Sequence, residues 1–350
     1  MTDTIKLRWG ILGAARDNER LLPAIMEAGN SELVAIASRR TGAALETLKK
    51  YAPRKQGEHL DLSHIKTYDS PEQLLSDKNV QAIYIPLANH EHTEWALKAI
   101  ASGRHVLIEK PLAIKLADIE AIEAAAIQSK VKVMEGFMYR FHPQHARVKE
   151  IIASGAIGEV RFAKASYSFM MRAARMYRLA NGTDGGGGAM WDIGPYAVHT
   201  LRHCFDSDPI SVTAMAKYAE TGADIATSGV IDFGDGKRGH FDTSFECSRQ
   251  SEYTIIGTKG SVTCHTVWQL PGTNDVPTIS WWSDDGRKFE ESYPTANHFN
   301  LEIEHFTDCV LNDKTPLLSM ADAKMNCKTI NAVLKSAKIG QAVKVSDKNE

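Results

Sequence analysis

Short apolar segments alternate with amphipathic segments over the first 136 residues, and this alternation constrains the fold more than any other feature. The strand-like segments are Leu7–Leu12, Leu33–Ser38, Val80–Pro86, His105–Glu109 and Val131–Gly136. The helix-like segments are Arg20–Ala28, Thr41–Tyr51, His92–Ser102 and Lys115–Ser129, and a polar stretch at Pro53–Ser63 reads as an insertion or long loop. Such alternation builds βαβ units, so we predict an α/β Rossmann domain with a parallel, doubly wound sheet over residues 1–140.

The pattern changes in the rest of the chain, where strand-like runs follow one another with turn signals between them. The runs are Glu159–Met170, Ile210–Tyr218, Thr227–Phe233, Arg238–Glu246, Glu252–Ile256, Ser261–Val267 and Thr278–Ser283. Two helices, near His298–Leu311 and Met320–Ala337, close the chain. We therefore predict an α+β domain with a mostly antiparallel sheet over residues 141–350, whose last helices could pack back on the first domain.

Charge and cysteine usage exclude several classes of protein. The formal net charge is −2, without a basic stripe, so no nucleic-acid partner is expected. No apolar run approaches the ~20 residues needed to cross a bilayer, so no membrane association is expected. The five cysteines are widely spaced and include no C-x-x-C pair, which indicates a reducing, cytoplasmic setting and no zinc framework.

The turn after the first strand is rich in small residues. It reads Gly10-Ile11-Leu12-Gly13-Ala14-Ala15-Arg16. Counted from Gly13, this is a degenerate G-x-G-x-x-G motif, with Ala15 at the second glycine position and Asn18 at the third. Small residues at this point let the backbone approach a pyrophosphate, although a tight turn without a ligand would look similar. Because the turn lies in a run of βαβ units, we predict that Gly10, Gly13, Ala14 and Ala15 bind a dinucleotide.

The end of the second strand predicts which dinucleotide binds. An NAD site usually has Asp or Glu there, whereas this chain has Ser38-Arg39-Arg40. A hydroxyl and two guanidinium groups suit a 2′-phosphate, so we predict NADP, with NAD possible as well; solvated loop charges are the alternative.

The loop after the Val80–Pro86 strand should line the cofactor cleft, because ligands bind at the carboxyl ends of parallel strands. We therefore add Leu87, Asn89 and His92 to the predicted cofactor site. A metal at His90 and His92 is not expected, since no third ligand has suitable spacing.

Two further segments carry chemistry. Glu109 and Lys110 end a strand at the same predicted edge, although they could simply be exposed there. Farther on, a glycine run leads to Asp192, Tyr196 and His199, whose spacings of four and three place them on one helical face. Pro195 fits only the first turn of a helix, so Asp192 could lie just before it. The alternative is that Tyr196 is packing and Asp192 an N-cap.

These residues resemble the Gfo/Idh/MocA family of NAD(P)-dependent oxidoreductases. The resemblance covers nearly the whole chain and rests on five segments: Gly10–Ala15, Ile85–His92, Glu109-Lys110-Pro111, Gly136–Pro143 and Gly186–Tyr196. It implies a Rossmann domain followed by an α+β domain with a large open sheet, often used in dimer contacts. A homodimer or homotetramer is therefore expected.

The resemblance also assigns roles. It makes Lys110 the catalytic lysine and a contact of both cofactor and substrate, Tyr196 the acid/base residue and Asp192 a substrate-positioning carboxylate. Glu109 joins the cofactor site, while Arg178 and His199 join the substrate site; His199 departs from the commoner Asn or Asp. Because Tyr196 stands where many members have histidine, the chain resembles the branch of glucose–fructose oxidoreductase, dihydrodiol dehydrogenase and xylose dehydrogenase.

We therefore expect an enzyme that transfers hydride between NADP and a secondary alcohol or ketone of a sugar or polyol, without a metal. One alternative is an enzyme that holds its cofactor tightly and cycles it between two sugars. Another is a non-catalytic, nucleotide-sensing regulator, which the presence of both Lys110 and Tyr196 disfavours. The identity of the sugar and the hydroxyl that reacts do not follow from the sequence.

Overall fold

A computed structural model describes residues 5–53, 61–268, 276–293 and 296–345. The chain divides into two compact units. The first unit contains Met1–Met138 and His298–Ala323, and the second contains Tyr139–Asn297 and Lys324–Glu350. Most of the predicted Pro53–Ser63 loop lies outside the described residues.

The first unit is built on a parallel sheet. Its strands are β1 (Leu7–Leu12), β2 (Ser31–Ala37), β3 (Lys66–Tyr68), β4 (Ala82–Ile85), β5 (His105–Glu109) and β6 (Val133–Gly136). Its helices are α1 (Asn18–Glu27), α2 (Ala43–Tyr51), α3 (Pro71–Ser76), α4 (His92–Ala101) and α5 (Leu116–Ser129). The strand order is β3-β2-β1-β4-β5-β6, and every pair is parallel. This is a doubly wound sheet, the type that the βαβ pattern predicted.

A helix from the end of the chain completes the core of the first unit. This helix, called α9 (His298–Leu311), lies against β1 and β2. Trp9 of β1 donates from Nε1 to Thr307 Oγ1 over 3.2 Å, and its ring lies 5.6 Å from that of Phe306. Ser31 Oγ lies 2.9 Å from the same Thr307 hydroxyl. A buried indole N–H usually needs such a partner, and α9 supplies it.

The second unit is built on a nine-stranded sheet. Its helices are α6 (Pro143–Ala153), α7 (Ala189–Asp192) and α8 (Gly194–Phe205). Helix α10 (Met320–Ile339) belongs to the first unit up to Ala323 and to the second unit from Lys324 onward. Its strands are β7 (Val160–Ser168), β8 (Ser211–Tyr218), β9 (Asp224–Gly234), β10 (Lys237–Ser244), β11 (Gln250–Gly257), β12 (Gly260–His265), β13 (Thr278–Ser283), β14 (Lys288–Ser292) and β15 (Val343–Lys344). The order is β14-β13-β12-β11-β7-β10-β9-β8-β15, and every pair except β7–β10 is antiparallel. The predicted fold class is therefore confirmed.

Helix α8 packs tightly on this sheet, and nearly all of its residues are buried. Gly239 of β10 makes the close approach possible, since a Cβ there would lie 3.1 Å from Leu201 of α8 and 2.9 Å from Phe233. The buried face of β10 thus positions the helix that carries Tyr196 and His199.

Five elements were not predicted. Strands β3 and β15 have three and two residues, which is too short for a periodic pattern. Edge strand β14 reads Lys-Phe-Glu-Glu-Ser and is mostly exposed, so it lacks an apolar face. Helices α3 and α6 begin with Pro71 and Pro143 after capping side chains, a start signal that the sequence carried and the prediction did not use.

In the part of the chain that the structure describes, no helix is long and apolar enough to cross a membrane. The five cysteines, all of them described, form no disulfide with one another. The cytoplasmic setting inferred from their spacing remains a prediction.

Candidate active site

The turn between β1 and α1 leaves its backbone open to a ligand. Gly13 has a φ of 133°, which a residue with a side chain rarely adopts, and its N–H donates to Ala37 O over 2.9 Å. A Cβ on Gly13 would lie 2.7 Å from Leu87 Cδ2, so the turn packs against the residue just beyond β4. Gly10 lies inside β1, where a Cβ would meet Leu74 and Val80 at 3.0 Å, and what the structure shows there is close packing.

Asn18 occupies the third glycine position of the motif and closes the turn. Its Nδ2 donates to Gly13 O over 2.7 Å, and the side chain is fully buried as the first residue of α1. The side-chain amide therefore fixes a turn that glycine packing fixes in the standard motif. The turn, the bare backbone and the helix N-terminus together fit a pyrophosphate group.

The three residues after β2 form a cationic corner. Ser38 is buried, and its Oγ accepts from Arg40 N at 3.1 Å. The Arg40 guanidinium reaches back and donates to Ala14 O over 3.1 Å, which ties it to the glycine turn. The exposed Arg39 forms an ion pair with Glu91, which follows β4. One corner of the sheet edge is thus formed by Ser38, Arg39 and Arg40. The presence of Glu91 at this corner was not predicted.

His92 joins two of the predicted loops and is fully buried. Its Nδ1 lies 2.8 Å from Pro111 O and its Nε2 lies 3.0 Å from Leu87 O. Burial lowers the pKa of His92, so the ring is neutral near neutral pH. The ring therefore holds the backbone of the loop after β4, at Leu87, against the backbone after β5, at Pro111. Asn89 begins the 3₁₀ turn Asn89–Glu91 that leads into this residue. No group of three potential metal-ligating residues occurs among the described residues.

Glu109 at the end of β5 is not a solvated surface group. Tyr84 of β4 donates its hydroxyl to Glu109 Oε1 over 2.7 Å. Burial raises the pKa of Glu109 to about 7, and the charge of Asp17 acts in the same direction. Burial also raises the pKa of Glu302 on α9, a fully buried residue that no sequence motif marks. Lys110 directly follows Glu109, the last residue of β5.

In the second unit, a buried carboxylate holds the end of the glycine run. Asp224 accepts through Oδ2 from Met190 N at 2.8 Å and from Thr227 Oγ1 at 2.7 Å. Gly188 has a φ of 106°, and a Cβ there would lie 2.1 Å from Asp224 Oδ1. Burial raises the pKa of Asp224 to about 6. No local motif marks Asp224, because it lies in a strand 36 residues downstream of Gly188.

Arg178 and Asp192 form an ion pair next to this loop. Both side chains keep some exposure, at 20% and 14% respectively. Asp192 is the last residue of α7, and Pro195 lies in the first turn of α8, as the restriction on proline predicted. Ile193, not Asp192, occupies the N-cap position of α8. The Asp192 carboxylate pairs with the guanidinium of Arg178, so two residues predicted for the substrate site lie together.

Tyr196 lies in the first turn of α8, within an aromatic cluster. The cluster consists of Tyr139, Tyr167 and Trp268, whose rings lie 6.2, 5.7 and 6.2 Å from that of Tyr196. Tyr167 and Trp268 stack on each other at 5.0 Å. Tyr196 is 6% exposed. The cluster was not predicted, because its members are far apart in sequence.

His199 follows Tyr196 on the same face of α8 and has a specific partner. The Tyr139 hydroxyl lies 2.5 Å from His199 Nδ1, and both side chains are buried. A second tyrosine–histidine contact occurs in the same unit, where Tyr253 OH lies 2.8 Å from His145 Nδ1. Tyr139 therefore contacts both predicted residues of α8, Tyr196 through its ring and His199 through its hydroxyl.

Two family descriptions match the chain. Residues 7–137 match the oxidoreductase family with an NAD-binding Rossmann fold, and residues 145–263 match the GFO/IDH/MocA C-terminal domain. The chain belongs to the Gfo/Idh/MocA family. It is therefore an NAD(P)-dependent oxidoreductase by family, as its motifs predicted.

Similar proteins extend over nearly the full chain. D-xylose 1-dehydrogenase (NADP⁺) 2 of Haloferax volcanii is 29% identical, covering 97% of this chain and 100% of its own. The 3-ketoreductase of Actinomadura kijaniata, solved with NADP and TDP-benzene, has a TM-score of 0.84 at 26% identity and covers 95% and 98%. The aldose–aldose oxidoreductase of Caulobacter crescentus, solved with glycerol, has a TM-score of 0.85 at 23% identity, covers 97% and 99%, and shows the shared fold.

Proposed function

We propose that this protein transfers hydride between NADP and a secondary alcohol or ketone of a sugar or polyol. The observation that carries the proposal is Tyr196 in the first turn of α8, flanked by the aromatic cluster and preceded by the Arg178–Asp192 ion pair. An apolar wall with a few fixed polar groups is the usual composition of a small-molecule site. The xylose dehydrogenase and ketoreductase among its relatives support a carbohydrate substrate.

We assign substrate recognition in the second unit to Asp192 and Arg178. Tyr167 and Trp268 stack on each other and are only 7% and 1% exposed, so they support the Tyr196 ring from behind rather than contact the substrate. The carboxylate of Asp192 accepts hydrogen bonds from hydroxyl groups, while Arg178 holds that carboxylate in place. Charge-assisted hydrogen bonds have a restricted geometry, so the pair with Arg178 holds the Asp192 carboxylate in one position. Asp192 would then orient one hydroxyl of the substrate relative to Tyr196.

Tyr196 is the proposed proton-transfer group. When bound, the nicotinamide ring supplies or accepts the hydride. In the oxidative direction, the Tyr196 phenolate takes the proton from the substrate hydroxyl; in the reductive direction, the phenol returns it. A tyrosine has an ordinary pKa near ~10, so a base of this type needs a nearby cation near neutral pH.

Lys110 is the cation that we propose for this purpose. Its ammonium would stabilise the phenolate and donate a hydrogen bond to the reacting oxygen of the substrate. The strand end that carries Lys110 is fixed through His92, which joins Leu87 O to Pro111 O. This rigid backbone supports a positioned catalytic lysine, whereas a merely solvated lysine would not require it.

The cationic corner supports NADP over NAD. Arg39 and Arg40 supply two guanidinium groups, and Ser38 a buried hydroxyl, where an NAD site would have a carboxylate. Guanidinium groups bind phosphate through charge-assisted hydrogen bonds. We assign the 2′-phosphate to this corner and the pyrophosphate to the turn at Gly13.

We further propose that the nine-stranded sheet forms a homodimer, alone or within a homotetramer. Its face opposite α8 exposes large apolar side chains, with Phe162, Met215 and Trp282 exposed by 40%, 77% and 46%. Exposed apolar side chains on an open sheet favour a covering partner. A second copy of the chain is the partner that family resemblance suggests.

The proposed function is tested by presenting sugars, polyols and keto-sugars to the protein and following NADPH absorbance. We expect turnover with at least one compound that carries a secondary alcohol or ketone. A protein that binds NADP yet converts no member of a broad panel would favour the nucleotide-sensing alternative.

A further inference from the structure

Glu91 places a carboxylate in the corner that the sequence suggested was free of acid. The residue ends the 3₁₀ turn Asn89–Glu91, directly before α4, and its N–H donates to Ala88 O over 2.8 Å. Its side chain is 18% exposed and pairs with Arg39, whose side chain is 62% exposed. The corner therefore contains a carboxylate, which comes from the loop after β4 rather than from the end of β2.

The two arginines of the corner are held differently. Arg40 donates to the uncharged Ala14 O, so its positive charge is not neutralised by that contact. Arg39 is bound to a carboxylate. The charge of Arg39 also acts to lower the pKa of Glu72, but that carboxylate accepts from Ser70 Oγ at 2.6 Å. Glu91 is therefore the direct competitor for the Arg39 guanidinium.

We propose that Glu91 determines how strongly the protein prefers NADP to NAD. A 2′-phosphate that binds Arg39 must displace Glu91 or lie beside its negative charge, and either outcome weakens NADP binding. A 2′-hydroxyl is neutral and can donate a hydrogen bond to the same carboxylate. Glu91 therefore narrows the difference in affinity between the two cofactors. This inference rests on the proposed 2′-phosphate site at Ser38, Arg39 and Arg40.

The test is the ratio of the dissociation constants for NAD and NADP, measured by fluorescence or calorimetric titration without substrate. Glu91→Gln keeps the shape and removes the charge. We expect the ratio to rise about two- to fivefold, the range that surface ion pairs span, chiefly through tighter NADP binding. The increase should shrink at high salt. Glu94→Gln is the matched control, since it removes an acid of α4 that pairs with Lys98 instead, and it should leave the ratio unchanged.

A double-mutant cycle identifies the contact responsible. In an Arg39→Gln background, Glu91→Gln should raise the ratio less than in the parent, because the competition for the guanidinium is gone. An unchanged or lower ratio in Glu91→Gln, or an equal increase without Arg39, would contradict the inference. If Arg39→Gln alone weakens NADP but Glu91→Gln has no effect, the proposed cofactor site stands and the role of Glu91 falls. If the unaltered protein binds neither dinucleotide, both fall.

Discussion

Replacing Asp224 with asparagine tests the account of the glycine loop through its pH dependence. Burial raises the pKa of Asp224 to about 6 in the folded protein, against the ordinary value of 3.8. Because the folded state holds this proton more tightly, the contribution to stability is fully present below about pH 4 and is lost as the pH rises through about 6. A difference of about two pKa units corresponds to about 3 kcal/mol.

The measurement is urea-induced unfolding of the parent and of Asp224→Asn at about pH 4.5 and about pH 7. Asparagine can still accept from Met190 N and Thr227 Oγ1, so the fold should persist. Other groups titrate equally in both proteins, so the difference in unfolding free energy isolates Asp224. Between the two pH values, the parent should lose about 2 kcal/mol relative to the variant. A constant difference would show that Asp224 is not a buried, pKa-shifted group, and the reasoning would be wrong.

Three further predictions concern the cofactor, metals and assembly. Replacing Arg39 and Arg40 together with glutamine should weaken NADP binding by at least tenfold, since each lost charge-assisted hydrogen bond is worth about 1.5–3 kcal/mol. Titration of both cofactors checks this, and NAD binding as tight as that of NADP in the parent would contradict the assignment. Activity should survive prolonged treatment with a chelator; stoichiometric zinc by elemental analysis would overturn that expectation. Light scattering should show a dimer or tetramer that Met215→Glu weakens, whereas a monomeric parent at micromolar concentration would refute the assembly.

The sequence predicts the architecture well where strands are buried on both faces. Strands β1, β4 and β5 are continuous buried runs, and their predicted positions lie within a few residues of the observed ones. It fails where an element is stabilised by its neighbours. Strand β14, for example, is a polar edge strand whose pairing with β13 has no apolar signature.

The candidate site shows the same division. Motif positions such as Gly13, Leu87 and Arg178 could be predicted, because local spacing or resemblance marks them. Asp224 and the Tyr139 partner of His199 could not be assigned roles, since their contacts join distant parts of the chain. Glu91 lay within a predicted loop, but the meeting of two loops at Arg39 depends on the order of strands in the sheet.

The most direct test of the central claim is the turnover of Tyr196→Phe, measured together with its affinity for NADP. The variant loses one hydroxyl and keeps the ring that packs against Tyr139 and Tyr167. We predict nearly unchanged NADP binding and a ~10²–10⁴-fold fall in turnover, as expected for a lost general acid/base. Combining it with Lys110→Met should add little further loss, because the two groups act as a unit. Near-normal turnover by a folded Tyr196→Phe protein would contradict the account and direct attention to His199.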